Sequence, residues 1–435
     1  MKQYEKPDEG LQNVSSSEPE NPPQSSPVPR SRNPFYALTF PNYRLFFIGQ
    51  SVSVIGTWMQ IVAQNWLVWE LTGMAKWLGI VNGANAIPYI LFSMWGGKVA
   101  DRYPRRDILV VTQIVAMLLA GVLTLLTLSL WIPIQPWHIA VLAGFSGILN
   151  AFNLPAQQAF VTDIIDEKEA LGNAIALNSL RFNSARFVGP MLAGLVLVKW
   201  GAGVCFLLNA ISFAAVILSL LKMQLPSFIP HNRDLSMREG MIYILNHRPT
   251  LRNVILMAAG AMFVWSGSTL FPVIATHFKL RERGYSWMVS ANGIGAMLCG
   301  FLLASVFEVI PTRTRIYVGA VLFGSALFLV SVATSFTAVL GLLMVSGFGM
   351  ILCAASSNTS VQKGVPEHLR GRVMAVYSLA FQGVMPFGGL MVGYMADRLS
   401  APIALRINAS IFLVTTLVLF AWSQRERVSY NAPDG

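Results

Sequence analysis

Apolar runs long enough to cross a lipid bilayer recur along the whole chain, and they restrict its fold more than any other feature. A spanning helix needs about 20 mostly apolar residues, because the hydrocarbon core is about 30 Å thick and each residue rises about 1.5 Å. Barrel strands would be about ten residues long with alternating polarity, which these unbroken runs lack. The sequence therefore predicts an all-α integral membrane protein. We expect twelve transmembrane helices, at about 45–70, 77–99, 108–130, 137–160, 173–199, 203–222, 253–276, 287–307, 316–334, 337–361, 372–397 and 402–423.

The charge distribution predicts how the chain is oriented. Only 12% of the residues are charged and 54% are hydrophobic, and the formal net charge is +11. A basic protein can bind nucleic acid, but these basic residues gather in short loops between apolar runs. About 20 of the 31 Lys and Arg residues lie on the side that holds both termini. We therefore expect both termini to be cytoplasmic, in a multi-pass protein of the plasma (inner) membrane, and no nucleic-acid partner.

Three segments outside the apolar runs have distinct compositions. Residues 1–32 are rich in Ser, Pro, Glu and Asn, so we expect a disordered cytoplasmic tail and no cleavable signal peptide. Residues 424–435 are expected to form a short cytoplasmic C-terminal tail. The segment 223–252 is predicted to be a cytoplasmic linker, whose amphipathic stretch at 236–245 would lie on the membrane surface.

An internal repeat predicts that the twelve helices form two related halves, 33–222 and 253–423. A shift of 199 residues, without a gap, aligns Gly189 with Gly388 and Asn209 with Asn408, so predicted helices 5 and 6 repeat as 11 and 12. A shift of 203 places predicted helix 4 on predicted helix 10. The order of these matches favours duplication into two pseudo-symmetric six-helix bundles, with substrate held between them.

The loop between predicted helices 2 and 3 carries a charged motif. It reads Gly96-Gly97-Lys98-Val99-Ala100-Asp101-Arg102-Tyr103-Pro104-Arg105-Arg106. This resembles the signature loop of the major facilitator superfamily, in which Pro104 stands where Gly is usual. The resemblance implies a conformational gate, in which a carboxylate pairs with Arg and with the N-terminus of another helix. The gate residues would be Gly97, Asp101, Arg102, Arg105 and Arg106.

Predicted helix 5 carries small residues together with two arginines. Its small residues resemble the antiporter motif of superfamily exporters, and they allow close helix packing. They are Ala185, Gly189, Pro190, Ala193 and Gly194. Arg181 and Arg186 are costly inside a membrane and should therefore face a cavity or a partner. They are candidates for substrate binding or coupling, and the alternative is that either pairs with Asp163 or with helix-capping carbonyls as a structural contact.

Over roughly residues 33–425 the chain resembles the enterobactin-exporter-like branch of the superfamily, which includes siderophore exporters and drug efflux proteins. The residues that carry this resemblance are Asn33-Pro34-Phe35, the run from Phe40 to Phe46, and the Asn-x-Ala-Arg-x-x-Gly-Pro sequence at 183–190. Many proton-coupled exporters carry an Arg early in helix 4, whereas this chain has Ala140, Ala143 and Gly144 there. The resemblance therefore implies a branch but not a coupling residue.

Uncharged polar residues on the helices expected to face the centre are candidates for a substrate cavity. Gln60 and Gln64 share a face of predicted helix 1, and similar stripes follow on helices 4 and 10. Such residues can equally tie helices together. The further candidates are Asn150, Asn153, Gln157, Ser356 and Asn358. Since the two charges expected in mid-membrane are arginines, the substrate is predicted to be amphipathic and neutral or anionic.

These features predict a secondary transporter, most simply an efflux permease for a siderophore- or drug-like molecule, exchanged for protons by alternating access. An importer or lysophospholipid flippase on the same fold is the alternative, and a non-transporting membrane receptor or scaffold is a third class. The chain has no phosphate loop, nucleophile elbow or paired metal ligands, so we expect neither an enzyme nor a cofactor or metal site. We expect a monomer whose partners are the substrate, the bilayer and protons.

Overall fold

Helices make up all the regular structure in the described part of the chain. The structure is a computed structural model that describes residues 33–129, 131–165, 167–225, 237–305 and 307–431. Within these ranges no β-strand is present, and Phe35–Gly435 forms one unit. The predicted disordered tail at 1–32, residues 226–236 of the linker and residues 432–435 lie outside the described residues. The all-α fold class is confirmed.

Thirteen α-helices follow one another along the described chain. They are α1 Pro41–Thr72, α2 Ala75–Arg102, α3 Arg105–Leu128, α4 Pro136–Asp163, α5 Lys168–Lys222, α6 Met237–Asn246, α7 Arg248–Ala259, α8 Phe271–His277, α9 Arg281–Ser305, α10 Thr312–Val330, α11 Phe336–Gly364, α12 Glu367–Leu399 and α13 Ala401–Asn431. A π-helical turn at Gly260–Trp265 and a 3-10 turn at Ser266–Leu270 connect α7 to α8. Arg248–His277 therefore crosses as one helical unit.

The helices provide twelve passes. Ten helical segments of the described chain are long and apolar enough to cross a membrane, and one of these, Ala170–Lys222, holds 53 residues. At 1.5 Å per residue it would extend about 80 Å, more than twice the hydrocarbon thickness. It breaks at Gly201, whose φ of 79° favours glycine, and this break falls between predicted helices 5 and 6. The ten segments therefore make eleven passes, and α2, which is more polar, makes the twelfth.

Each pass reverses the direction of the chain, so α1 begins and α13 ends at the same end of the bundle. We call this end the termini side and the opposite end the far side. The N-terminal half comprises α1–α5 and the C-terminal half comprises α6–α13. Predicted helix 7 corresponds to α7 and α8 together, and predicted helices 8 to 12 correspond to α9 to α13.

A close crossing joins α2 to α4 in the N-terminal half. A Cβ placed on Gly147 would lie 1.9 Å from the carbonyl oxygen of Asn85, so only glycine fits at this point. The Asn85 side chain crosses the same junction and donates to the carbonyl oxygen of Ala143 at 3.0 Å. Small residues permit such backbone approach between membrane helices, and the amide adds an interhelical hydrogen bond.

The same crossing recurs between α9 and α11 in the C-terminal half. A Cβ on Gly347 would lie 1.9 Å from the carbonyl oxygen of Asn292, and the Asn292 amide donates to the carbonyl oxygen of Leu343 at 3.4 Å. Gly147 thus corresponds to Gly347, and Ala143 to Leu343, at a shift of 200 residues. The shift of 203 inferred from the sequence is wrong for this pair by nearly one helical turn, because apolar helices share letters in more than one register.

The linker helix α6 packs on the C-terminal half. Gly240 of α6 abuts the backbone of Arg372 and Val373 in α12, and Glu239 forms an ion pair with Arg372. The Tyr243 hydroxyl donates to the carbonyl oxygen of Gly364 at 2.9 Å. The opposite face, with Met241, Ile242 and Leu245, is exposed and apolar. The sequence predicted that the whole amphipathic stretch lies on the membrane surface. In the structure only its outer face is available for such a contact.

Candidate functional site

A cavity of about 300 Å³ lies between the halves, with most of its wall supplied by the C-terminal half. One residue comes from α5, and the rest come from α7, the π-helical turn, α11 and α12. The lining residues are Arg186, Met257, Trp265, Met350, Ile351, Ala354, Asn358, Tyr377, Ser378, Phe381 and Gln382. Most of this wall is aromatic or aliphatic, and its single formal charge is the guanidinium of Arg186. The cavity therefore suits an apolar body with an anionic or strongly accepting group.

Arg186 joins the two halves at the middle of the bundle. Its Nη2 donates to Oδ1 of Asn292 on α9 at 2.9 Å and contacts Sδ of Met350 on α11 at 3.4 Å. Its guanidinium also lies 5.8 Å from the ring centroid of Trp58 on α1. Asn292 is only 8% exposed, and it is the residue that anchors the α9–α11 crossing. Arg186 therefore lines the cavity and also joins the N-terminal half to the C-terminal half.

Aromatic contacts hold the apolar wall in place. Trp265 meets Phe323 and Phe381 edge-on, with ring centroids 5.0 and 4.8 Å apart. The Tyr377 hydroxyl donates to the Ser357 hydroxyl at 3.1 Å. Edge-to-face packing restricts the ring rotamers, so this wall is formed in advance of any ligand.

The predicted polar candidates of α11 lie in different places. Asn358 lines the cavity, and its Oδ1 accepts from Gln362 at 2.8 Å. Ser356 is buried away from the cavity, and its hydroxyl has no hydrogen-bond partner among the described residues. The two residues are two positions apart, which is about 200° around the helix, so they cannot share one face.

In the N-terminal half, two of the polar candidates tie helices together. Gln60 accepts from Asn209 at 2.7 Å, which joins α1 to the second pass of α5. Asn153 accepts from Thr112 at 3.2 Å, which joins α4 to α3. The sequence left open whether such residues line a cavity or tie helices together, and Gln60 and Asn153 tie helices together.

The other N-terminal candidates have three different environments. Gln157 of α4 donates to Gln50 of α1 at 2.9 Å, and Gln64 is half-buried. Asn150 is exposed, and it lies nine residues, or two and a half turns, beyond the exposed Val141. It therefore projects from the opposite side of α4, toward the middle of the bundle.

Arg181 lies on another face of α5, and its described contacts are with the N-terminal half. Its guanidinium is 5.8 Å from the ring centroid of Phe46. Its Nε and Nη1 atoms are buried without a hydrogen-bond partner in the described chain. Asp163, which the sequence offered as an alternative partner, forms an ion pair with Arg105.

The gate motif lies at the termini side. Arg105 pairs with Asp163 and also donates to the carbonyl oxygen of Ala100 at 3.3 Å. Arg106 caps the end of α5 through the carbonyl oxygen of Leu221 at 3.1 Å. Arg102 is exposed, whereas Asp101 is half-buried and makes no hydrogen bond or ion pair within the described ranges. The gating contact of Asp101 with the other half stays a prediction.

Two neighbouring glycines in the gate motif have different environments. A Cβ on Gly96 would meet the carbonyl oxygen of Ala151 at 1.9 Å, whereas one on Gly97 would have no neighbour within 4 Å. The close approach of α2 to α4 therefore lies at Gly96, one residue before the motif glycine, because a step of one residue turns the side-chain direction by 100°.

The small residues of the antiporter-like motif pack on two neighbours. Gly189 faces α1, where a Cβ would lie 2.5 Å from Cβ of Trp58. Gly194 faces α9, where a Cβ would lie 2.7 Å from Cβ of Ser286. Ala185, Pro190 and Ala193 are buried. The motif thus brings the first pass of α5 close to one helix of its own half and one of the other.

Polar contacts between the halves close the far side. Both oxygens of Asp397, at the end of α12, accept backbone N–H groups at the start of α2, from Ala75 at 2.7 Å and Lys76 at 3.1 Å. The Trp69 indole donates to Thr276 at 2.8 Å, and Arg281 pairs with Glu70 at 3.1 Å. A carboxylate is favourable at a helix N-terminus. Sequence reasoning missed Asp397, although an Asp at the end of an apolar helix is an unusual feature.

Replacing Asp397 with Asn is expected to loosen this closure. The amide loses the charge and one acceptor, which removes about 1–2 kcal/mol at a solvent-exposed helix N-terminus. The closed population should therefore fall by about 5- to 30-fold relative to the open one. Spin labels at Met74→Cys and Leu399→Cys would report the separation of α2 and α12, since the native cysteines, Cys205, Cys299 and Cys353, are buried.

Asp107→Asn is the control for this measurement, because Asp107 lies exposed in the first turn of α3 at the opposite end. Its label distances should match those of the parent chain. Equal distances in the Asp397→Asn and parent proteins would contradict a closing role for Asp397.

Comparison with known proteins places the whole helical region in one family. Residues 32–432 match the family described as transmembrane secretion effector. The chain is 27% identical to a staphyloferrin A transporter of Staphylococcus aureus, over 81% of this chain and 89% of the relative. It is 25% identical to the multidrug efflux pump Tap of Mycolicibacterium fortuitum, over 82% and 92% of the two chains.

A solved structure shares the fold at lower sequence identity. The crystal structure of the peptide transporter POT in complex with sulfate superposes with a TM-score of 0.71 at 12% identity. The match covers 91% of this chain and 99% of that one. The predicted superfamily resemblance is confirmed, as is the expectation of a transporter rather than an enzyme. The chain is a multi-pass membrane transporter that belongs to the major facilitator superfamily, in its transmembrane secretion effector family.

Proposed function

We propose that this chain is an efflux permease that exports an amphipathic small molecule carrying an anionic group, by alternating access and in exchange for protons. The observation that carries the proposal is the cavity between the halves, where the guanidinium of Arg186 is the one formal charge in a largely apolar wall. Likeness to a staphyloferrin A transporter and to a multidrug efflux pump supports export of a small molecule.

The composition of the cavity supports an anionic group rather than a cation. Asp and Glu are absent from its described lining, so a cation would find no countercharge there. An anion could accept charge-assisted hydrogen bonds from Arg186, while Trp265 and Phe381 cover an apolar body. Asn358 and Gln382 add uncharged donors and acceptors that would fix its orientation.

The contacts between the halves support alternating access. The cross-half hydrogen bonds of Asp397, Trp69 and Arg186 lie at the far side or in the middle of the bundle. At the termini side, the ion pairs Arg105–Asp163 and Arg372–Glu239 each join helices of a single half. Such a state is open toward the termini side. If that side is cytoplasmic, this is the state in which an exporter takes up its cargo.

Proton exchange has a candidate in Asp101. This carboxylate is half-buried at the gate loop and makes no hydrogen bond or ion pair within the described ranges. It is therefore available to pair with the other half when the termini side closes. Neutralisation by a proton would remove that pairing and reopen the gate.

Everted vesicles that contain the full chain would test direction, charge selectivity and coupling together. The probes are an amphipathic aromatic carboxylate, its matched primary amine, and staphyloferrin A. We expect the carboxylate to accumulate inside the vesicles when their lumen is acidic. After subtraction of passive uptake by protein-free vesicles, in which an acidic lumen traps the amine as its ammonium, the amine should accumulate at least about tenfold less, since it lacks a group that Arg186 can bind. Asp101→Asn should abolish the dependence on the pH gradient.

Three results would overturn separate parts of this proposal. Accumulation that ignores the pH gradient would refute proton exchange. Preference for the amine would refute the anionic substrate. Transport that proceeds only in right-side-out vesicles, or that moves a lysophospholipid in preference to all three probes, would favour the importer or flippase.

A further inference from the structure

A second group of unpartnered donors lies in the N-terminal half, apart from the cavity. Three buried nitrogen atoms there have no hydrogen-bond partner in the described chain: Nε and Nη1 of Arg181 and Nε2 of Gln50. Gln50 is 3% exposed. A buried guanidinium without a countercharge costs several kcal/mol in a membrane. Its retention calls for a ligand.

The position of Phe46 relates these donors to each other. The Phe46 ring of α1 lies under Arg181, 5.8 Å from its guanidinium, and packs on Phe160 of α4 at 5.4 Å. Gln50 lies one turn beyond Phe46 on the same face of α1, where residues four apart are neighbours. It accepts from Gln157 of α4 at 2.9 Å, which leaves its own Nε2 to donate.

No acidic side chain is among the described contacts of Arg181. The Tyr43 hydroxyl, its other near neighbour, donates to the carbonyl oxygen of Ala174 at 2.9 Å. The nearby acids are engaged elsewhere, because Asp163 pairs with Arg105 and Glu167 accepts from Tyr36. A set of donors with one positive charge and no acid among its described contacts binds most strongly to an acceptor of negative charge.

We infer that Arg181 and Gln50 form an anion-binding site in the N-terminal half that takes a carboxylate or another small oxyanion. The site is distinct from the cavity. Arg181 and Arg186 are five residues apart, which separates them by about 7.5 Å along α5 and by about 140° around it. One guanidinium therefore faces α1 and α4, and the other faces the C-terminal half.

The occupant is either the acid group of the cargo or a separate inorganic anion. Its part in transport rests on the proposed function, but anion binding itself does not. In the first pass of α5, Arg181 lies nearer the termini side than Arg186 does. Cargo arriving from that side would therefore meet Arg181 before Arg186.

Thermal unfolding of the purified full chain tests the site without transport. The measurement uses the Arg186→Met background, in which the cavity guanidinium is gone, and titrates citrate and sulfate separately at fixed ionic strength. We expect a saturable rise in Tm of about 1.5 °C at tenfold the Kd. Adding Arg181→Met or Gln50→Leu should abolish the rise, whereas Arg398→Met, at an exposed arginine that stacks on Tyr394, should leave it unchanged.

The anion-free proteins provide a second readout. Because Nε and Nη1 of Arg181 have no hydrogen bond to lose among the described residues, and methionine can keep an apolar contact with Phe46, Arg181→Met should raise or preserve Tm when no anion is added. A drop of several degrees would mean that Arg181 has a structural partner and would refute the site. An equal response of the Arg181→Met and Arg181-containing proteins to both anions would also refute it.

The two probes identify the occupant. A response to sulfate as strong as that to citrate assigns the site to a small oxyanion, and a response to citrate alone assigns it to an organic acid. Anion binding in a chain that fails to export in vesicles would leave the site standing and remove the proposed function. Export by a chain that shows no anion response at Arg181 would remove the site and leave the proposed function standing.

Discussion

Gly147→Ala is expected to prevent the chain from reaching a stable folded state. The added Cβ would lie 1.9 Å from the carbonyl oxygen of Asn85, a backbone atom that cannot move without shifting α2. Separating the helices would also break the hydrogen bond from Asn85 to Ala143. Overpacking at a backbone contact with the loss of that bond should cost more than about 3 kcal/mol. The measurement is the yield of monodisperse protein and its Tm.

Gly121→Ala is the matched control. Gly121 lies inside α3, and a Cβ there would have no neighbour within 4 Å. Alanine is the better helix former by about 1 kcal/mol, so this variant should be as stable as the parent chain or slightly more stable. If Gly147→Ala gave the same yield and Tm as Gly121→Ala, the α2–α4 crossing described here would be incorrect.

The sequence predicted the number of passes because hydrophobic length is a local property. The break at Gly201 could also be placed, since a largely apolar stretch of 53 residues is too long for one pass. The sequence was a poorer guide to helix register, that is, to which residues of two packed helices face each other. Asn85 and Asn292 anchor equivalent crossings 207 residues apart, whereas their partners Gly147 and Gly347 are 200 apart. The spacing between equivalent helices therefore differs in the two halves, which a gapless shift cannot represent.

Only part of the candidate site could be predicted from the sequence. Arg186 and Asn358 were predicted and line the cavity, because a charge or amide in an apolar helix is conspicuous. The aromatic residues Trp265 and Phe381 gave no signal, since aromatics are common in membrane helices. Gln60 and Asn153 proved to bond neighbouring helices. Whether a polar side chain faces a cavity or a neighbour depends on helix rotation, which composition does not encode.

Asp397 and Gln50 show a second reason why residues were missed. Each acts together with a group far away in sequence: Asp397 accepts from the N-terminus of α2, and the proposed anion site combines Gln50 with Arg181. A pattern search within one helix finds neither pairing. Both become visible when hydrogen-bond donors and acceptors are counted across helices.

Arg186→Met is expected to lower transport of an amphipathic carboxylate by about 100-fold. A charge-assisted hydrogen bond to the guanidinium contributes about 1.5–3 kcal/mol, and about 2.7 kcal/mol corresponds to a factor of about 100. The variant also loses the bond to Asn292 that joins the halves. Methionine fills part of the volume without a charge, so the chain should fold. Initial rates in everted vesicles, across substrate concentrations, would measure both KM and maximal rate.

Two further variants separate charge from geometry. Arg186→Lys keeps the positive charge but loses the planar set of donors, so transport should fall by about tenfold. Arg398→Met removes an exposed arginine and should remain within about twofold of the parent. A rise in KM alone would mean that Arg186 only binds cargo. A fall in maximal rate as well would mean that breaking its bond to Asn292 is part of the transition between states, because cargo that displaces Asn292 from Arg186 also releases the contact between the halves. Transport by Arg186→Met within threefold of the parent would exclude both roles.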